Sequence, residues 1–182
     1  MTISVTDLDT ATKGRLAAAD PETARLLEVG LGVCRRYCGW HVHPVLDADV
    51  ITLDGRGGPV LRLPTLAMLE APAEVLELGV AIDPATLDWS PYGRLVKQSG
   101  AYWTDRFGAI KVTYKHGFDT APGFESAVIT YIARTSLTVP EGGRYRDAVG
   151  PFHYSTVALE DCSAFSAEEK MNLDLYKLEA YP

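Results

Sequence analysis

Val112-Thr113-Tyr114-Lys115-His116-Gly117-Phe118, running on to Ala121-Pro122, is the stretch where the chain changes from one kind of structure to another. The Val-Thr-Tyr run is extended and β-branched or aromatic, as a strand requires. Beyond Pro122, Phe124, Val128, Ile129, Ile132 and Ala133 recur on one side of a helix over 124–137, with Glu125 in its first turn. Gly117 can take a positive φ that other residues resist, and Pro122 suits the first turn of a new helix. The stretch therefore predicts an architectural joint, where a strand turns sharply into a helix.

Working back from the joint, the period is that of strands. Val50-Ile51-Thr52-Leu53 and Val60-Leu61-Arg62-Leu63 flank Asp54-Gly55-Arg56-Gly57-Gly58-Pro59, most simply read as two strands joined by a Gly-rich loop. Further strands are expected at 75–82, 93–97 and 109–114. No helical crossover separates them, so the expectation is an antiparallel meander rather than a parallel sheet.

Upstream of this β region, Asp20-Pro21-Glu22 is a helix start: Asp20 caps, Pro21 fills the first position and Glu22 faces the positive end of the dipole. Leu26, Leu27, Val29, Leu31, Val33 and Tyr37 give the helix a broad apolar face, and Gly39 stops it. Gly30 and Gly32 weaken its interior, a cost that close packing against another element would explain. A shorter helix is expected within 6–19. Downstream of the joint, residues 138–164 mix Gly, Pro and aromatics without a period, as in a long ordered loop that grips a neighbour. Ser166-Ala167-Glu168-Glu169 is a capping box opening a last helix through Leu178.

The expected fold class is α+β, with helices from the two ends of the chain packed together around a central antiparallel β insertion. The 182 residues, 47% hydrophobic and 23% charged, suit a single domain spanning 1–182 with a β-rich insertion over 45–116. No apolar run approaches the roughly 18 residues of a membrane span, and MTISVTDLDTATKGR lacks the order of a signal peptide. A soluble protein made in a cytoplasm is expected. Three cysteines, Cys34, Cys38 and Cys162, argue against a disulfide framework. A formal charge of −7 disfavours tight nucleic-acid binding, although a surface that DNA slides past without sequence-specific contact is compatible with it.

The order helix, β insertion, helix, loop, terminal helix resembles the small head-tail connector (adaptor) proteins of siphophages, particularly those of actinobacterial hosts. The resemblance covers residues 20 to 180. It is carried by Tyr37-Cys38-Gly39-Trp40, by Thr52-Leu53-Asp54-Gly55-Arg56-Gly57-Gly58 with Leu61-Arg62-Leu63-Pro64-Thr65, by the joint itself, and by the closing Ser-x-x-Glu helix with Leu173 and Tyr176. What it implies is a structural virion protein and not an enzyme. It further implies a homo-oligomeric ring of twelve subunits beneath the portal protein, extending the DNA channel and docking a stopper or tail protein, at the head-tail junction and with no cofactor.

Several constellations invite other chemistry. Cys34, Cys38, His41 and His43 fall within ten residues, and zinc accepts two thiolates and two imidazoles, so a zinc-stabilised binding module is the sharpest alternative. Their spacing would need a tight turn to close on one ion, and buried thiols beside loop histidines are the plainer reading. Asp54-Gly55-Arg56-Gly57-Gly58 precedes a strand rather than a helix, which suits a turn better than a phosphate cradle. Ser90, Ser99, Ser126, Ser136, Cys162, His116 and His153 lie in no nucleophile elbow, and Asp47, Asp49, Asp83 and Asp88 sit at strand ends, so a small unrecognised enzyme has little to stand on. Trp40 reads as a core aromatic. Trp89, Tyr92, Tyr102 and Trp103 border turns and are the aromatics expected at subunit contacts, joined by Tyr145, Phe152 and Tyr154 of the long loop.

Overall fold

The computed structural model describes residues 3–137, 148–149, 152–153 and 165–178. Within them the fold is α+β, with helices from both ends of the chain sharing one core and the β region holding another.

The helices are α1 (Val5–Ala11), α2 (Pro21–Cys38), α3 (Pro122–Thr135) and α4 (Ala167–Asp174). α2 starts and stops where its caps predict: Asp20 Oδ1 accepts from the Glu22 amide at 2.9 Å, and Gly39, at φ 81°, donates to Arg35 O. A Cβ on Gly30 would lie 2.5 Å from Ile132 Cγ1, so this glycine lets α3 press against α2, whereas Gly32 faces open space. The expected helix over 6–19 is only α1, because Lys13 and Gly14 both take positive φ and turn the chain away. α4 opens on the Ser166–Glu169 capping box but ends at Asp174 rather than continuing through Leu178. The last residues use their polar groups elsewhere: the Leu178 amide donates to Cys38 O at 2.9 Å, and Trp40 Nε1 donates to Tyr176 O at 2.6 Å.

Strands β1 (Leu46–Leu53), β2 (Val60–Arg62), β3 (Glu74–Glu77), β4 (Val80–Ile82), β5 (Leu87–Ser90), β6 (Arg94–Lys97) and β7 (Ile110–His116) form two antiparallel sheets, ordered β1-β7-β3-β4 and β2-β6-β5. This is not the expected meander. β1 leaves α2 and β7 enters α3, so pairing the first strand with the last closes the insertion where it joins the helices. The expected strand over 75–82 is instead a tight hairpin turning at Leu78 (φ 55°) and Gly79 (φ 79°), the doubly positive geometry that matches strand twist. β1 and β2 fall in different sheets. The Gly-rich loop between them locks onto residues 104–106, with Gly55 donating to Arg106 O at 2.9 Å and Gly57 to Thr104 O at 3.1 Å. A side chain on Gly55 would run into Thr104 O. Within 138–164 only β8 (Ala148–Val149) and β9 (Phe152–His153) are described, and they pair with each other.

At the joint, Gly117 has φ 107° and packs so closely that a Cβ would sit 2.8 Å from Pro44 O. Its amide donates to Ala67 O, and that of Phe118 to Val42 O. Leu8, Leu27, Phe124, Val128, Ile132 and Leu173 centre the helical core. Leu61, Val75, Leu95, Ile110, Val112 and Tyr114 centre the β core.

Candidate functional site

A largely buried ion pair ties the two sheets together. Lys97 Nζ on β6 lies 2.6 Å from Glu77 Oε2 on β3, and both side chains are largely buried. Glu77 Oε1 also accepts from the Thr104 amide at 2.7 Å, and Lys97 Nζ donates to Tyr102 O at 3.1 Å. The segment carrying Tyr102 and Trp103 is thereby fixed over the sheets. Trp103 turns inward and is 3% exposed, with Lys97 Nζ 4.6 Å from its ring centre. Tyr102 turns outward, 67% exposed, as do Tyr92 in the turn between β5 and β6 and Trp89 on the edge strand β5. Of the seven aromatics expected at contacts, Tyr145 and Tyr154 lie outside the described residues, and only the backbone of Phe152, in β9, is described.

Among the exposed apolar residues that sequence reasoning missed are Phe107, which is 87% exposed, and Leu78 and Val80 at the β3–β4 hairpin. Phe107 could have been noticed in Asp105-Arg106-Phe107-Gly108, an aromatic among turn residues. Leu78 and Val80 could not, because an apolar run hides the hairpin.

Where β1 ends near β2 runs a groove of about 690 Å³. Leu53, Val60, Leu61, Leu63, Trp103 and Leu178 give it an apolar lining, and Arg56 and Arg62 add charge. A second hollow of about 280 Å³ shares Arg62, Leu63 and Leu178 and adds Tyr92, Arg94 and Lys177. Arg62 and Arg94 stand directly opposite each other in the β2–β6 register. Asp54 is the one acid among the lining residues, and its Oδ1 accepts from the Gly108 amide at 2.7 Å. Among the described residues neither hollow is lined by a histidine or cysteine.

The other candidate groups hold structure. Ser90 and Ser99 accept from the amides two residues ahead, Asp83 caps the short 3-10 turn at Pro84–Thr86, and Asp88 accepts from Gln98. Asp47 pairs with Lys115 at 2.8 Å. The Gly55 and Gly57 amides are spent on backbone carbonyls, which leaves them no role toward a phosphate.

The four residues considered for zinc do not converge. Cys34 and Cys38 are fully buried in the helical core, where burial pushes both thiols up to about 12. His41 Nε2 donates to Pro44 O at 2.6 Å, and His43 Nδ1 donates to Phe118 O at 3.0 Å. Among the described residues no group of three or more His, Cys, Asp and Glu is placed to hold a metal ion. His41 instead meets His116 at the joint, ring centres 5.9 Å apart, and burial holds both below the usual histidine range. His116 stacks on Tyr114 at 4.4 Å and reaches Asp49 Oδ2 through Nε2 at 3.1 Å.

No helix among the described residues is long and apolar enough to cross a membrane. No family model matches the chain, and no curated protein matches it. Among solved structures it is similar to a chain from the neck of an empty GTA particle computed with C6 symmetry. That likeness covers 99% of this chain and 91% of the other, with a TM-score of 0.60 at 14% identity. With so little identity over so nearly complete a span, what the two chains share is the fold.

Proposed function

We propose that this chain is a structural subunit of a phage-type neck, one of a ring of identical copies lying between portal and tail in the virion. The observation that carries the reading is the fold held in common, end to end, with a chain of a neck particle. A twelvefold ring, the number implied by the resemblance to siphophage connectors, satisfies the C6 symmetry under which that neck was computed. The exposed Trp89, Tyr92 and Tyr102, the last on a segment held by the Lys97–Glu77 pair, supply the aromatic surface that subunit contacts favour. A ring closes each contact on the next, so modest pairwise affinity yields a stable collar once a portal templates it. Catalysis finds less support, since neither groove gathers titratable groups into a reacting set.

The test is genetic. Deleting the gene from its phage or prophage is expected to leave DNA-filled heads without tails, and mass spectrometry of intact particles is expected to find the chain in proportion to portal. Infectious, tailed particles from the deletion would refute the reading.

A further inference from the structure

A ring of identical subunits joined head to tail needs two different patches that fit each other on opposite flanks of one chain. The first sheet presents such a pair. In its register Leu53 of β1 faces Ile110 of β7, Ile110 faces Glu77 of β3, and Glu77 faces Val80 of β4. One row of residues thus crosses the whole sheet, about 14 Å in three strand steps. It starts at the apolar groove beside Leu53 and ends at Val80, which is 69% exposed beside Leu78. Among the described residues β4 is an edge strand paired only with β3, which leaves its outer backbone to a partner.

Charge follows the same division. Among the described residues the groove side carries Arg56, Arg94 and Lys177 with the acid Asp54. The β3–β4 hairpin carries exposed Glu74 and Asp83 at its open end, with Lys111 across the sheet from Leu76. We infer that the Leu78–Val80 hairpin of one copy seats in the groove between β1 and β2 of the next, with Glu74 and Asp83 at its open end meeting Arg56 and Arg94. This rests on the ring reading above and names the contact that closes the ring. The occupant is a second copy because knob and groove are level on one sheet, at its opposite edges, and opposite in charge.

Sedimentation velocity on the full chain, at rising concentration and with cognate portal, tests it through two exposed substitutions, Val80→Asp and Val60→Asp. Each alone is expected to weaken self-association at least tenfold, or to reduce the copies bound per portal below a full ring. Mixed in equal amounts, the two variants retain one sound knob and one sound groove between them, so they are expected to form pairs and nothing larger. Circular dichroism melts matching wild type exclude misfolding, and Val80→Ser with Val60→Ser replace the pair if they do not match.

Wild-type assembly that both variants reproduce would overturn this inference while leaving the ring intact, and failure of wild type to assemble even on portal would overturn both. Groove variants that assemble normally but lose retention of double-stranded DNA would also overturn it, in favour of a groove facing the channel.

Discussion

His116 closes β7 at the joint, almost wholly buried, and every charged or titratable neighbour bears on its proton. Asp49 favours the charged ring through Nε2, while burial, the larger effect, disfavours it, and His41 stands 5.9 Å away as a potential like charge. The balance lies below the ordinary histidine value of 6.5 for both His116 and His41. Both rings are therefore neutral in the folded chain under conditions where the unfolded chain already takes up protons. The stability they contribute is complete above pH 6.5 and is lost as the pH falls through their lowered values. Thermal melts are expected to show Tm falling between pH 6.5 and 5, and His116→Gln is expected to flatten that slope. Unchanged melts of the wild type over this interval would mean the rings titrate normally. Gly117 at the same joint was legible in the sequence, since its positive φ is the property glycine supplies. The histidine pair was not, because 75 residues separate its members and only the β1–β7 pairing brings them together.

Among the elements, α2 carries two glycines with opposite consequences. Gly30→Ala forces a methyl against Ile132 and is expected to destabilise by about 1–3 kcal/mol. Gly32→Ala meets nothing within 4 Å and is expected to stabilise by about 0.5–1 kcal/mol through helix propensity. Urea midpoints distinguish the signs, and a loss at both positions would contradict the packing described. α4 depends on Glu169, which caps the helix through the Ser166 amide at 2.8 Å and binds Arg134 of α3 through both carboxylate oxygens, at 3.1 and 2.9 Å. Glu169→Ala is expected to cost about 3 kcal/mol, since it removes a cap and a buried charge pair together. A shift in the urea midpoint smaller than that of an ordinary surface substitution would show that α4 docks by apolar contact alone.

The caps of α2 and α4 were readable because they are local chemistry. The β3–β4 hairpin was not, since Leu78 occupies a positive-φ position where asparagine or glycine would have signalled a turn. Trp103 misled for a related reason: bordering a turn does not expose a ring that Lys97 covers from another strand.

At the scale of the whole molecule, the helical body is drawn from both ends of the sequence, and the β insertion between them shows its apolar flanks and basic groove. Helix order and the presence of a central β region were legible, because period and punctuation record them. Sheet order was not, because strand pairing over 60 residues depends on where the chain must return rather than on any local pattern. The groove was invisible for the same reason, being lined from β1, β2, Trp103 and Leu178 at once. The proposed ring would give these surfaces their meaning, as the parts of a repeating unit. The most direct test of that claim is mass by light scattering across a concentration series, first for the chain alone and then mixed with its cognate portal. The account predicts a ring-sized species, or a monomer that joins the portal at a fixed ratio of copies. A chain that stays monomeric at every concentration and elutes apart from portal would contradict it.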